Sequence, residues 1–150
     1  MVQQVVRHVY PVARLKHIDL GAELSESDLV VLGHDWMIRE AITNLLDNAV
    51  CYSPEYSLVT ILTGDRDGQV FIRIQDSGPG IAPQDLSMAG KRFWRGVETK
   101  QNKGAGLGLA IVQSIMKLHQ GQMEITSGDE TSGLSVTLWF HSEPRENPTT

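Results

Sequence analysis

The sequence predicts an α/β two-layer sandwich in which helices cover one face of a mixed, mostly antiparallel sheet. Three observations predict it: two segments carry apolar stripes at the helical period, the strands come in sequential pairs, and the helices do not alternate with single strands. The last observation argues against a parallel sheet, whose strands need crossover helices between them. With 150 residues, 41% of them hydrophobic, the chain suits one domain with its own core.

The first half of the chain predicts two short strands and a long helix. The strands are expected in the apolar runs at residues 16–20 (KHIDL) and 29–33 (LVVLG). The helix is expected over residues 35–52, with Asp35 as its N-cap and Pro54 marking its end. The apolar stripe of this helix consists of Ile38, Ile42, Leu45, Leu46 and Ala49.

The second half predicts two strand pairs around a loop and a helix. Residues 57–76 are expected to form a hairpin, because two β-rich runs flank the turn sequence GDRDG. Residues 77–104 are a long glycine-bearing stretch, and a loop of that length in a compact domain is usually functional or mobile. A helix over residues 107–119 follows, ended by Gly121. The runs QMEITS and LSVTLWF predict a final antiparallel pair.

Composition narrows the class of protein. The net charge of −5 does not point to a nucleic-acid partner. The single cysteine, Cys51, excludes an internal disulfide framework and fits a reducing compartment. No apolar run approaches the roughly 20 residues that a membrane helix needs, and the N-terminus lacks a signal-peptide core. We expect one domain over residues 1–142 and a polar, disordered tail over residues 143–150.

Two glycine-rich stretches raise the question of a phosphate site. In KGAGLGLAIV, Gly104, Gly106 and Gly108 stand at the start of the predicted helix, where free backbone amides and the absence of side chains let an anion approach. Lys103 adds positive charge. The alternative is a flexible loop that the helix simply closes.

The second stretch, DSGPGIAP, follows a predicted strand. Asp76 would lie at the strand end, where its carboxylate can accept a hydrogen bond from a ligand amino group. Gly78 and Gly80 would allow a tight turn beside it. The alternative is an ordinary Asp-Gly turn.

Two asparagines on the long predicted helix form a third feature. Asn44 and Asn48 are four residues apart, so they are neighbours on one face. Asparagine is a poor mid-helix residue, and its amide oxygen is a hard ligand that suits Mg²⁺ carrying phosphate oxygens. The alternative is a pair of solvated or capping amides.

Taken together, four motifs resemble the ATP-binding catalytic domain of a sensor histidine kinase, in the superfamily that includes gyrase, Hsp90, MutL and histidine kinases. They are NLLDNAVCYSP, DSGPGIAP, KRFWRG and KGAGLGLAIVQSIMKLHQG. The resemblance runs from roughly residue 16 to residue 140, with the motifs in the family's order and spacing. Four matching motifs are far more specific than any one of them.

The resemblance implies an α/β sandwich that holds ATP between its helical layer and a lid over residues 82–106. Asp76 would bind the adenine amino group, Asn48 with Asn44 beside it would hold Mg²⁺, and Tyr52 would lie against the adenine. The implied ATP-binding set is Asn44, Asn48, Tyr52, Asp76, Gly78, Gly80, Ile81, Arg92, Phe93, Arg95, Lys103, Gly104, Ala105, Gly106, Leu107, Gly108 and Leu109.

Within the lid, the resemblance implies that Arg92, Arg95 and Lys103 are candidate phosphate partners. Phe93 would anchor the lid on the body of the domain. His119, near a helix end, is expected to be structural rather than a phosphate acceptor.

Asn44 bears on the reaction. The superfamily's ATPases and its anti-sigma serine kinases carry a glutamate at this place, where it can act as a base, and an amide cannot take a proton. A histidine kinase has no such need, because neutral imidazole is already a nucleophile near pH 7. Asn44 therefore favours a histidine kinase over an anti-sigma-type serine kinase. A degenerate nucleotide-sensing module is a second alternative, against which the intact Asn48, Asp76 and glycine boxes argue.

The chain contains no segment resembling the dimerising helix with its histidine. We therefore expect a catalytic domain of a bacterial two-component kinase, itself monomeric, whose partners are a histidine-containing dimerisation domain of the same parent and a downstream response regulator. The expected location is the cytoplasmic side of an inner-membrane parent. One departure from the family is Cys51, where lysine or arginine is common.

Overall fold

The computed structural model describes residues 1–26, 29–77, 105–127 and 133–141, with the backbone alone at 52, 105–108 and 127. The expected tail and all but the ends of the predicted 77–104 loop and 82–106 lid lie outside the described residues. Along the chain the elements are α1 (Val2–Leu15), β1 (Asp19–Glu23), α2 (Asp35–Tyr52), β2 (Leu58–Arg66), β3 (Gln69–Asp76), α3 (Ala105–Leu118), β4 (Gln122–Ser127) and β5 (Leu134–His141).

The strands form a mixed five-stranded sheet in the order β1-β2-β3-β5-β4. Strand β1 pairs with β2 in parallel, and the other three pairings are antiparallel. The predicted hairpin is confirmed, although its strands extend into GDRDG as far as Arg66. Asp67 (φ 52°) and Gly68 (φ 79°) form its two-residue turn, and positive φ at both positions is what a type I′ turn requires.

The core lies between the sheet and the helices. In β3, buried and half-buried residues alternate, as expected for a strand with one face against the core. Helix α2 packs against α1, α3 and the central strands, so it occupies the middle of the helical layer. This arrangement confirms the predicted two-layer sandwich. The fully buried side chains of the core include Ile42, Leu46, Val50, Val59, Ile61, Val112, Leu138 and Phe140.

The predictions for the first 33 residues are wrong in two places. Residues 16–20 are not a strand, because α1 extends to Leu15 and β1 begins only at Asp19. Residues 29–33 contain only an isolated bridge residue at Val31. Helix α1 itself was not predicted, although Val5, Val9 and Ala13 bury one face of it at four-residue spacing.

Helix α2 matches its predicted range, but its N-cap is His34 rather than Asp35. No side chain caps this end; Asp35 is instead the first helical residue, where a carboxylate favours the positive end of the helix dipole. It also pairs with Arg39 at 3.5 Å. The helix ends at Tyr52, before Pro54 as predicted, because Ser53 is extended (φ −73°, ψ 138°).

Helix α3 ends in a Schellman motif, and Gly121 does not have the predicted role in it. Gln120 takes the left-handed position (φ 56°) and donates its N–H to Lys117 O at 3.1 Å, while Gly121 N–H donates to Met116 O at 2.9 Å. Gly121 is needed for a different reason: a Cβ there would collide with the carbonyl oxygen of Trp139.

His119 joins the end of α3 to the start of α2. Its Nδ1–H donates to Ile115 O at 2.8 Å, and its Nε2 accepts the backbone N–H of His34 at 3.0 Å. Gly33 permits this approach, because a Cβ there would lie 2.5 Å from His119 Cδ2. These contacts agree with the structural role expected for His119.

We predict opposite stability changes at the two residues that end α3. Gln120→Gly should raise the free energy of unfolding by about 0.5–1 kcal/mol, because glycine adopts the left-handed conformation without the Cβ penalty. Gly121→Ala should lower it by about 1–3 kcal/mol through overpacking against Trp139. Urea denaturation measures both changes.

The matched control is Gln113→Gly, at an exposed position inside α3. It should lower the free energy of unfolding by about 1 kcal/mol, since glycine is unfavourable in a helix interior. A loss of stability in Gln120→Gly as well would contradict the assignment of the left-handed C-terminal position.

Candidate functional site

The predicted site residues occur at the end of α2, the end of β3 and the first turn of α3. Helix α2 packs against both α3 and β3. The ends of α2 and β3 both lie near the start of β2: this strand begins six residues after Tyr52, and Ser77 is hydrogen-bonded to its first residue, Leu58. Helix α2 is therefore in contact with both of the other elements.

Asp76 is held firmly at the end of β3. Its residue surface is 7% exposed, and its Oδ1 accepts the backbone N–H of Leu134 at 3.2 Å. Ser77 anchors the same strand end from the other side, since its Oγ accepts Leu58 N–H at 2.9 Å and its N–H donates to Leu58 O at 3.0 Å. The carboxylate is thus oriented by β5 while the backbone is fixed to β2.

Asp76 lies on the core-facing side of its strand. It continues the series of Val70, Ile72 and Ile74, which are buried at every second position of the strand. A carboxylate removed from water is costly unless hydrogen bonds satisfy it. A polar acceptor at the end of an apolar face is therefore well suited to receive a ligand donor.

The two asparagines both lie on α2, as predicted, and both are half-buried. The Asn44 Nδ2 group donates to Glu40 O at 2.9 Å and to Glu40 Oε1 at 3.2 Å. Because both partners are acceptors, they identify which end of the amide is nitrogen, and the amide oxygen remains as the acceptor of this side chain. The donor set fits a hard cation, which prefers oxygen ligands.

Other predicted residues divide into three groups. Tyr52 is the last residue of α2, and its backbone alone is described. The first turn of α3 contains Gly106 and Gly108, so the helix begins two residues earlier than predicted; the side chains of Ala105 and Leu107 are outside the description, and Leu109 is buried in the core. The predicted residues outside the described ranges are Gly78, Gly80, Ile81, Arg92, Phe93, Arg95, Lys103 and Gly104.

Cys51 is exposed, which places it off the apolar core as predicted. Although the residue is exposed, the protein atoms around its thiol bury that group in part, and this burial is the main cause that raises the pKa of the thiol. The neighbouring Asp47 carboxylate raises this pKa further, and Lys16 opposes both effects. Burial likewise raises the pKa of Asp47, with Glu40 adding to the effect and His8 opposing it. Asp47 therefore lies near both Cys51 and Glu40 on this side of α2.

Sequence reasoning missed residues that support the site from other elements. Leu134 orients Asp76 across 58 residues of chain, and Lys16 Nζ donates to the last-turn carbonyls of α2. Neither residue belongs to a motif, so no local pattern could have identified them. Within the described ranges, no cluster of three or more His, Cys, Asp or Glu side chains could hold a metal ion.

Comparison with known proteins identifies the family. Residues 33–144 match the family model described as "Histidine kinase-, DNA gyrase B-, and HSP90-like ATPase". The chain is 32% identical over 130 residues to the sensor protein kinase PmrB of Pseudomonas aeruginosa, a match that covers 87% of this chain and 27% of PmrB. The chain therefore spans less than a third of that relative's length.

Solved structures agree with this match. The mycobacterial sensor histidine kinase MprB superposes with a TM-score of 0.80 at 26% identity, over 95% of this chain and 96% of that one. Full-length ShkA in complex with AMPPNP superposes with a TM-score of 0.81 at 26% identity, over 94% of this chain and 29% of that one. By sequence and by fold, this chain belongs to the histidine kinase-, DNA gyrase B- and HSP90-like ATPase family, as an ATP-binding catalytic domain of the sensor histidine kinase type.

Proposed function

We propose that this chain binds ATP together with Mg²⁺ and donates the γ-phosphate to a histidine on a separate dimerisation domain of the same parent kinase. The observation that carries the proposal is the buried Asp76 carboxylate, oriented by Leu134 N–H at the end of β3. Family membership and relatives that are sensor kinases support the reaction class.

Different residues of the site would bind different parts of the nucleotide. Asp76 accepts a hydrogen bond from the adenine amino group, and Tyr52 at the end of α2 lies against the base. The free amides in the first turn of α3, around Gly106 and Gly108, face the phosphates, whose negative charge a helix N-terminus favours.

Asn48 and Asn44 would hold Mg²⁺ through their amide oxygens. The ion neutralises charge on the phosphate oxygens when it is bound. The Asn44 amide nitrogen is already engaged with Glu40, which leaves its oxygen for this role.

The transfer step needs a second domain. Asn44 stands where the superfamily's ATPases have a glutamate, and an amide cannot activate water or a serine hydroxyl. A neutral imidazole does not need that activation. The acceptor would therefore be a histidine of the dimerisation domain, and the phosphate would pass onward to a response regulator.

The parent is proposed to be a bacterial two-component kinase of the inner membrane, with this domain on the cytoplasmic side and monomeric by itself. None of the helices in the described parts of the chain combines the length and hydrophobicity that crossing a bilayer requires. The relatives do not favour the anti-sigma-type serine kinase alternative. A degenerate nucleotide-sensing module is the remaining alternative, and phosphoryl transfer separates it from a kinase.

Asp76→Asn should weaken ATP and ADP binding to a similar degree, by about 10- to 100-fold, because a charge-assisted hydrogen bond to adenine is lost. The fold should survive, since the new amide oxygen can still accept Leu134 N–H. Calorimetric titration measures the affinities, and Asp65→Asn at an exposed position of β2 is the matched control. Unchanged ATP affinity in Asp76→Asn would make Asp76 a structural strand-end residue.

The isolated chain should show negligible autophosphorylation and very slow ATP hydrolysis, because it contains neither a base at Asn44 nor the acceptor domain. Adding a histidine-domain fragment of a related sensor kinase should produce acid-labile phosphohistidine on that fragment. Radiolabelled ATP and acid treatment distinguish the products. Acid-stable phosphoserine on a partner would favour a serine kinase, and ATP binding without any transfer would favour the sensing module.

Cys51→Lys should tighten ATP binding more than adenosine binding, with a gain that shrinks as salt increases, because a partly exposed charge pair is screened. Exposure of Cys51 means that the lysine should be tolerated. Affinity titrations at low and high salt test the change, and Cys51→Met controls for side-chain size. An equal gain for adenosine would place residue 51 away from the phosphates.

A further inference from the structure

The end of α2 is held by a lysine from a different element. Lys16 Nζ donates to Val50 O at 2.9 Å and to Cys51 O at 2.7 Å, across 34 and 35 residues of chain. The last carbonyls of a helix have no partner within the helix, and its C-terminus carries partial negative charge. Helix α2 has no basic residue of its own in its last turn, so Lys16 supplies this charge complement.

Lys16 is itself anchored to the frame of the domain. It is the C-cap of α1, and the next residue, His17, takes the left-handed conformation (φ 58°) that closes the helix. Ile18 follows, buried in the core, with its N–H donating to Ala13 O at 2.9 Å. The ammonium group is thus presented from a fixed backbone.

The same segment also holds the chain that leaves α2. Tyr56 N–H donates to His17 O at 3.1 Å, and Asp19 N–H donates to Ser57 O at 2.9 Å. Residues 16–19 therefore form a clamp on the end of α2. Lys16 binds the last turn of the helix, whereas the backbone of His17 and Asp19 binds the connection to β2.

This last turn is the part of α2 that the proposed nucleotide site depends on. Asn48 precedes the clamped carbonyls by two and three residues, and Tyr52 follows Cys51 directly. If the two carbonyls lost their donor, the turn would fray, because helix ends without partners are only weakly held. Both proposed ligand residues would then lose their orientation.

We infer that Lys16 is a positioning residue for nucleotide binding, which acts by fixing the last turn of α2 through the carbonyls of Val50 and Cys51. The inference rests on the proposed function. Because Lys16 acts on the helix rather than on the phosphates, its loss should weaken adenosine through Tyr52, and should weaken ATP with Mg²⁺ at least as much through Tyr52 and Asn48 together. A direct phosphate contact would weaken ATP alone.

The test uses Lys16→Met, which keeps the length of the side chain and removes both hydrogen bonds and the charge. Dissociation constants for adenosine and for AMPPNP with Mg²⁺ are measured by calorimetry well below the melting temperature. We expect the constant for adenosine to rise about tenfold, as for loss of hydrogen bonds from a charged donor, and the constant for AMPPNP to rise by at least as much. Lys16→Arg, which keeps N–H donors and the positive charge, should retain most of the parent chain's affinity.

Arg14→Met is the matched control. Arg14 is an exposed cation in the last turn of the same helix, α1, so its loss removes an equal charge without touching α2. This variant should bind both ligands as the parent does. Lys16→Gln, which keeps an N–H donor without the charge, should lie between Lys16→Met and the parent.

The outcomes separate the inference from the proposed function. A parent chain that binds neither ligand would refute the proposed function itself. A parent that binds both, together with a Lys16→Met variant that binds equally well, would overturn the positioning role alone. Loss of AMPPNP affinity with unchanged adenosine affinity would replace positioning with a direct phosphate contact. Failure of both Lys16→Met and Lys16→Gln to fold, judged by circular dichroism, would also overturn the inference, because the clamp would then serve the whole domain.

Discussion

The burial of α2 in the middle of the helical layer is the constraint on which the rest of the structure depends. Its apolar stripe packs on the central strands, and α1 and α3 pack on either side of it. One end is joined to α3 through His119, and the other end is joined to α1 through Lys16. Because a helix is stiff, fixing its stripe and both ends also fixes the polar residues on its remaining surface. Asn44 and Asn48 are therefore placed by the packing of residues outside the proposed site.

A second constraint acts at the end of the central strand, β3. The two-residue periodicity of β3 puts Asp76 on the same face as Ile72 and Ile74, so its carboxylate must turn toward the core. Burial of that group is tolerable because β5 supplies a backbone donor, Leu134 N–H. The sheet thus orients the carboxylate and also supplies a hydrogen bond that stabilises its negative charge. Among the described residues, the proposed site combines an acceptor on the sheet with amides on the helix.

The errors of sequence reasoning have identifiable physical causes. Helix α1 was missed because its valines also favour strands and because Pro11 interrupts a pattern that the helix nevertheless accommodates. Gly121 was interpreted through local turn chemistry, whereas the left-handed residue is Gln120 and the glycine is required by the carbonyl of Trp139 on a neighbouring strand. The motif residues of α2 and β3 could be assigned to the proposed site from the sequence because each has a local signature. Their supporting partners were not, since those partners belong to no motif.

The sequence by itself determined what is encoded within a few residues. The spacing of apolar residues determined α2, the Asp67–Gly68 pair determined the hairpin turn, and Asn44 determined that no carboxylate base stands at that place. Only the tertiary structure decided which distant groups complete the site. Lys16 reaches the end of α2 across 34 residues, and Leu134 reaches Asp76 across 58. The reason is physical: periodicity and turn preferences act through adjacent backbone, whereas a hydrogen bond between elements depends on how those elements pack.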